Sequence, residues 1–181
     1  MFDKQKISDA LEIETLVTYE NGGEIRRYKI VDTAASDFEK VFKCCLYFAM
    51  QGKKVLITPG FRDDTIGNPI YEKIYASLRG TQYWGKCPDF SVDGVWYEHE
   101  GYDVTKDLSE ATRRADTFSL MMKRGVKQCA RIIVEDCQVA RRWARRNIYN
   151  RIHFENQNIK EVYIRTRFDL EILYKKGSGA T

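Results

Sequence analysis

Three carboxylates around an Asp-Gly pair carry the first chemistry in this chain: Pro88-Asp89-Phe90-Ser91-Val92-Asp93-Gly94-Val95-Trp96-Tyr97-Glu98-His99-Glu100. Asp-Gly between two valines predicts a hairpin closed by a two-residue type I′ turn. Such a turn sets the register, with Asp89 facing Glu98, and strand alternation then puts Asp89, Glu98 and Glu100 on one face. The opposite face receives Phe90, Val92, Val95, Tyr97 and His99, and His99 is expected to be a core histidine held by a backbone carbonyl. Neighbouring like charges repel across a strand pair. Solvent, arginines, a divalent cation or a shared proton must offset that repulsion. Such a set suits general acid-base work or a divalent cation held by Asp89, Glu98 and Glu100.

Phosphate-binding groups lie further along. Residues 113–151 contain Arg113, Arg114, Lys123, Arg124, Lys127, Arg131, Arg141, Arg142, Arg145, Arg146 and Arg151, against only Asp116, Glu135 and Asp136. On a helix, Arg141, Arg142, Arg145 and Arg146 fall within one arc with Tyr149 among them, and Val139, Ala140, Trp143, Ala144 and Ile148 cover most of the other side. Guanidinium forks bind phosphate bidentately, and a ring among arginines favours RNA or single strands. In the closing segment, Arg165 and Arg167 alternate with Val162, Ile164, Thr166 and Phe168. They either neutralise the acidic hairpin or contact a substrate phosphate.

The elements that must position these groups follow from periodicity. Leu16–Tyr19 and Ile25–Val31 flank Asn21-Gly22-Gly23 as a hairpin. Ser36 or Asp37 caps an amphipathic helix through Phe38, Val41, Phe42, Cys45 and Phe48 that ends near Gly52. Val55–Thr58 reads as a buried strand, a loop with Asp63 and Asp64 follows, and Pro69 starts a helix running to Gly80. After the acidic hairpin, Leu108, Ala111, Ala115, Phe118 and Met122 predict a helix with one buried stripe. Cys129–Val134 is a strand, Gln138–Ile152 a second helix, and Glu161–Tyr174 one long strand or a hairpin turning near Thr166-Arg167. The expected fold is α/β (α+β): a single domain with a β-β-α-β-α-β core, a mainly antiparallel sheet flanked by helices, and an N-terminal hairpin and helix. Residues 1–80 form the extension packed on a core of residues 81–176, and residues 177–181 a flexible tail.

With 43% apolar and 31% charged residues among 181, the composition is that of a water-soluble globular protein. No run approaches the roughly 20 apolar residues of a membrane span, and the polar N-terminus lacks a signal-peptide core. Five cysteines without CxxC spacing indicate reduced, mostly buried thiols, which places the chain in the cytoplasm. The net charge of +4 is modest, so the clustering of its basic residues points to nucleic acid as the partner.

Pro88-Asp89, the Asp93-Gly94 turn and Glu98, followed by a helix, Lys127-Gln128-Cys129-Ala130-Arg131 entering Ile132–Val134, a basic helix with Arg141 to Arg146, and Val162-Tyr163-Ile164, resemble the C-terminal tRNase domain of contact-dependent growth inhibition toxins. The resemblance spans residues 86–174 and implies membership of the barnase, EndoU, colicin and RelE-like group of metal-independent ribonucleases. It implies cleavage of tRNA or other RNA through the 2′-hydroxyl, no cofactor, and an immunity or inhibitor protein as a further partner. The catalytic set it implies is Asp89, Glu98, Glu100, Arg131 and Thr166, with RNA held by Arg141, Arg142, Arg145, Arg146, Tyr149, Arg165 and Arg167. Where the family has the lysine of its ExK motif this chain has Glu100, which moves the cationic role to Arg131, Arg165 or Arg167. The same hairpin is similar to PD-(D/E)xK nucleases, which implies magnesium on Asp89, Glu98 and Glu100. A third reading is a non-catalytic RNA- or protein-binding module derived from the nuclease fold.

Overall fold

A computed structural model describes residues 4–61, 65–103, 105–167 and 169–177. Asp63, Asp64, Phe168 and most of the expected tail, from Ser178 to Thr181, lie outside the described residues. The chain is α/β (α+β), and its residues cluster into two compact units, Met1–Trp96 and Tyr97–Thr181.

The first unit begins with a short helix α1 (Lys4–Ala10) that the sequence did not announce. Strands β1 (Ile13–Thr18) and β2 (Glu24–Tyr28) form the expected antiparallel hairpin. Helix α2 (Phe38–Ala49) then crosses to β3 (Lys54–Ile57), which pairs parallel to β2. Gly23 lets the hairpin approach the end of α2: a Cβ there would sit 1.9 Å from the Ala49 carbonyl oxygen. Asn68 caps α3 (Pro69–Ile74) by accepting from the Ile70 amide at 2.9 Å, and proline occupies the first turn, where no amide is needed. Strand β4 (Phe90–Val92) returns antiparallel to β3. Phe61, Tyr71, Tyr75, Trp84 and Trp96 pack as one aromatic cluster.

Asp93 and Gly94 link β4 to β5 (Val95–Glu100), with φ of +48° and +79°. Two left-handed residues in succession make the type I′ turn that the Asp-Gly pair predicts. In the second unit, β5 pairs parallel to β6 (Arg131–Glu135), β6 parallel to β7 (Glu161–Arg165), and β7 antiparallel to β8 (Leu170–Lys175). The closing segment is thus a hairpin. Helix α4 (Ala111–Gln128) leads into β6, and α5 (Arg141–Phe154) lies between β6 and β7 in the chain. Helix α4 starts later than its apolar pattern suggested, at Ala111, after a turn in which the Asp107 carboxylate accepts from the Ser109 amide at 2.8 Å. Its buried face is Thr117, Phe118, Met121, Met122 and Gly125, while Ala111 is exposed. These residues pack with Ile132, Val134, Val162 and Ile164 from the sheet and Ala144 and Ile148 from α5. Among the described residues no helix is long and apolar enough to cross a membrane.

Candidate nucleic-acid interface and its acid-base neighbours

In-register parallel pairing decides which groups share a face of the second unit's sheet. Glu98 lies beside Ile132 and Glu100 beside Val134, so both acids share the face that packs against α4 and α5. Both are buried there, so solvent is not what offsets their charge. Burying a carboxylate is costly without a partner, and Glu100 accepts a hydrogen bond from Arg124 Nε at 2.8 Å. Gly125 makes room for it: a Cβ there would meet Glu100 Cγ at 3.2 Å and Ile132 Cγ2 at 2.7 Å. Burial, assisted by the Glu98 charge, pushes the Cys129 thiol up to about 12, so it is an inert core thiol. Cys44, Cys45 and Cys137 are likewise buried thiols outside any disulfide.

The opposite face carries two carboxylate-centred clusters. Glu161 accepts from the Tyr97 and Tyr163 hydroxyls, each at 2.9 Å, and Arg131 and Lys175 stand 3.8 Å away. Arg131, an expected catalytic cation, also lies over the Tyr97 ring at 5.9 Å. Burial and the Glu161 charge raise the Tyr97 pKa strongly. At the carboxyl ends of the strands, Glu135 bonds His99 Nε2 at 2.7 Å and accepts from Arg165 Nε and Nη2, at 2.6 and 2.7 Å. His99 is therefore buried, as expected, and its Nε2 meets a carboxylate. Burial opposes ionisation of Glu135, yet His99 and Arg165 together hold its pKa below the usual carboxylate range.

The same edge collects further groups. Arg141, at the start of α5, donates to Asp136 at 3.0 Å and Glu171 at 2.8 Å. It is tied to the sheet and is not part of an open arginine face, as the wheel had placed it. Thr166 caps the β7–β8 turn, accepting from the Asp169 amide at 3.1 Å and donating to its carbonyl at 3.0 Å. Arg167 is exposed beside it. Asp89 belongs to the first unit. With Asp32, Asp37 and Thr58 it lines a cavity of about 430 Å³ at the carboxyl ends of β2 and β3. Within the second unit the expected catalytic residues do not form one cluster: Glu98 and Glu100 lie against the helices, Arg131 at the far end of β6 and Thr166 on the turn.

Helix α5 keeps most of the expected arginine face. Arg142, Arg145, Arg146, Tyr149 and His153 are exposed and, at i, i+3, i+4, i+7 and i+11, fall in one arc. Arg142 and Arg146 make no ion pair or side-chain hydrogen bond among the described residues, and Arg145 has only Glu171, at 3.9 Å. Trp143 sits at the arc's edge, half-exposed, with its ring edge on Phe118 at 6.1 Å. Arg151 is different: buried, it bonds Asn147, Glu155 and Ser119 and fastens α5 to α4.

Sequence reasoning passed over Glu135, Glu161 and Arg124. The only available signal was Glu135-Asp136 directly after an apolar strand, the place where parallel strands present their carboxyl ends. Among the described residues no group of three or more His, Cys, Asp or Glu side chains is arranged to hold a metal ion. No family model, curated protein or solved structure matches this chain.

Proposed function

We propose that this chain is an endoribonuclease acting on tRNA or other structured RNA without a metal. The observation that carries the reading is the arginine arc of α5, in which Arg142 and Arg146 have no acidic partner among the described residues, and which continues at its first turn, through Arg141 and Asp136, to the Glu135 cluster. Arg142, Arg145 and Arg146 hold RNA phosphates. At the strand ends, the ionised Glu135 accepts the 2′-hydroxyl proton, the freed oxygen attacks phosphorus, and the bond to the 5′-oxygen breaks. His99 returns a proton to that leaving oxygen, and Arg165 and Arg167 balance the charge of the pentacoordinate phosphorus. Glu135 takes the base role here because Glu98 and Glu100 face the helices. The likeness of residues 86–174 to the toxin tRNase domain supports the same reading. The partner would be RNA, with an immunity or inhibitor protein as the second that this likeness suggests, and the setting the cytoplasm.

A non-catalytic RNA-binding module is the second reading, favoured by the pairing of Glu100 with Arg124. The magnesium alternative asks Asp89, Glu98 and Glu100 to turn free lone pairs to one point. Incubating the full chain with total tRNA in EDTA separates the three. Products ending in cyclic phosphate that form in EDTA support the proposal, and cleavage only with added magnesium supports the metal version. Binding without cleavage in any buffer supports the module.

A further inference from the structure

The last turns of α5 carry rings where its first turns carry arginines. Tyr149 is 64% exposed and Phe154 is 78% exposed. Tyr149 and His153 lie parallel, 7° apart in plane with centroids at 5.9 Å, and Phe154 meets His153 edge-on at 4.9 Å. Among the described residues none of these rings has an aromatic neighbour outside α5. Large apolar groups held this far into water mark a binding surface when they cluster. The adjoining cations define what binds: Arg142, Arg145 and Arg146 lie up to three turns upstream in the arc of Tyr149 and His153, Phe154 flanks that arc about 100° further round, and α5 contains no acid.

We propose that this end of α5 is a stacking platform for unpaired nucleobases, so that the interface takes single-stranded RNA, such as the loops of a folded RNA, in preference to duplex. The proposal rests on the nucleic-acid reading above and specifies its substrate. A double helix offers phosphates but hides its base faces, so rings gain nothing from it. A single strand offers both, and its bases stack on any aromatic face whatever their identity. Cations at the start of the helix and rings at its end match the backbone and bases of one strand running along the helix.

The test measures fluorescence anisotropy of the full chain with labelled 2′-O-methyl RNA, which cannot be cleaved through its 2′-oxygen, as a single strand and as a duplex of equal length. Single strand binds at least about tenfold more tightly than duplex. Tyr149→Ala and Phe154→Ala each weaken single-strand binding about fivefold or more, leave duplex binding unchanged and keep the salt slope. Tyr149→Phe retains the affinity, since the ring and not the hydroxyl is at work. Equal affinity for the two forms, or single-strand affinity unmoved by Tyr149→Ala, overturns the platform and leaves the arginine interface standing. Absence of binding to either form overturns both.

Discussion

Helices α4 and α5 are both rich in basic residues, yet their cations are differently employed. On α4, Arg113 pairs with Asp107 and Glu110, Arg114 donates to the carbonyls of Leu108 and Ser109, and Arg124 serves Glu100. Its arginines are structural parts, and only the cations Lys123 and Lys127 stand without an ion pair or side-chain hydrogen bond among the described residues. On α5, Arg141 and Arg151 are tied down while Arg142 and Arg146 are open, with rings in line beyond them. Charge density along a helix therefore does not define an interface. What defines it is which cations the fold leaves unpaired, and what lies beside them.

The contrast can be broken first on α4. Arg124→Ala leaves Glu100 buried without its guanidinium and should cost about 1–3 kcal/mol of stability. Gly125→Ala should cost a similar ~1–3 kcal/mol by overpacking against Ile132, although alanine is ordinarily the better helix former. Urea unfolding checks both, and unchanged RNA affinity is expected in each. On α5 the outcome reverses. Arg142→Ala with Arg146→Ala should weaken RNA binding about tenfold while leaving the unfolding midpoint where it was, since exposed residues away from special features shift stability little.

Glu135 gives a pH signature. Its folded pKa is depressed, so its contribution is present above the unfolded carboxylate value and is lost as pH falls through the lower, folded one. Unfolding free energy should therefore decline in acid, and Glu135→Gln should flatten that decline. The smallest effect belongs to the control. Lys123→Ala with Lys127→Ala should change RNA affinity less than about twofold, and a loss matching that of the α5 pair would erase the contrast.

Much of this was legible in local sequence. Asp93-Gly94 announced its turn, the arginine spacing announced the α5 arc, and Asn68-Pro69 announced a helix start. Local signals failed where partners are remote. Glu135 lies 36 residues from His99 and 30 from Arg165, so nothing near either residue marks the cluster. The hairpin alternation sorted Glu98 and Glu100 together but not toward which side. That depended on where α4 and α5 land, and Ile132-Ile133-Val134, apolar on both faces, carries no alternation to reveal it. Arg141 was assigned to the open arc because its two acceptors come from the preceding loop and from β8.

The α5 interface is tested most directly by the salt dependence of affinity for 2′-O-methyl single-stranded RNA, compared between the unaltered chain and Arg142→Ala. Each phosphate contact contributes a slope of about 0.7 in log affinity against log salt for a single strand. The account predicts that Arg142→Ala lowers the slope by about that amount, and identical slopes would contradict it.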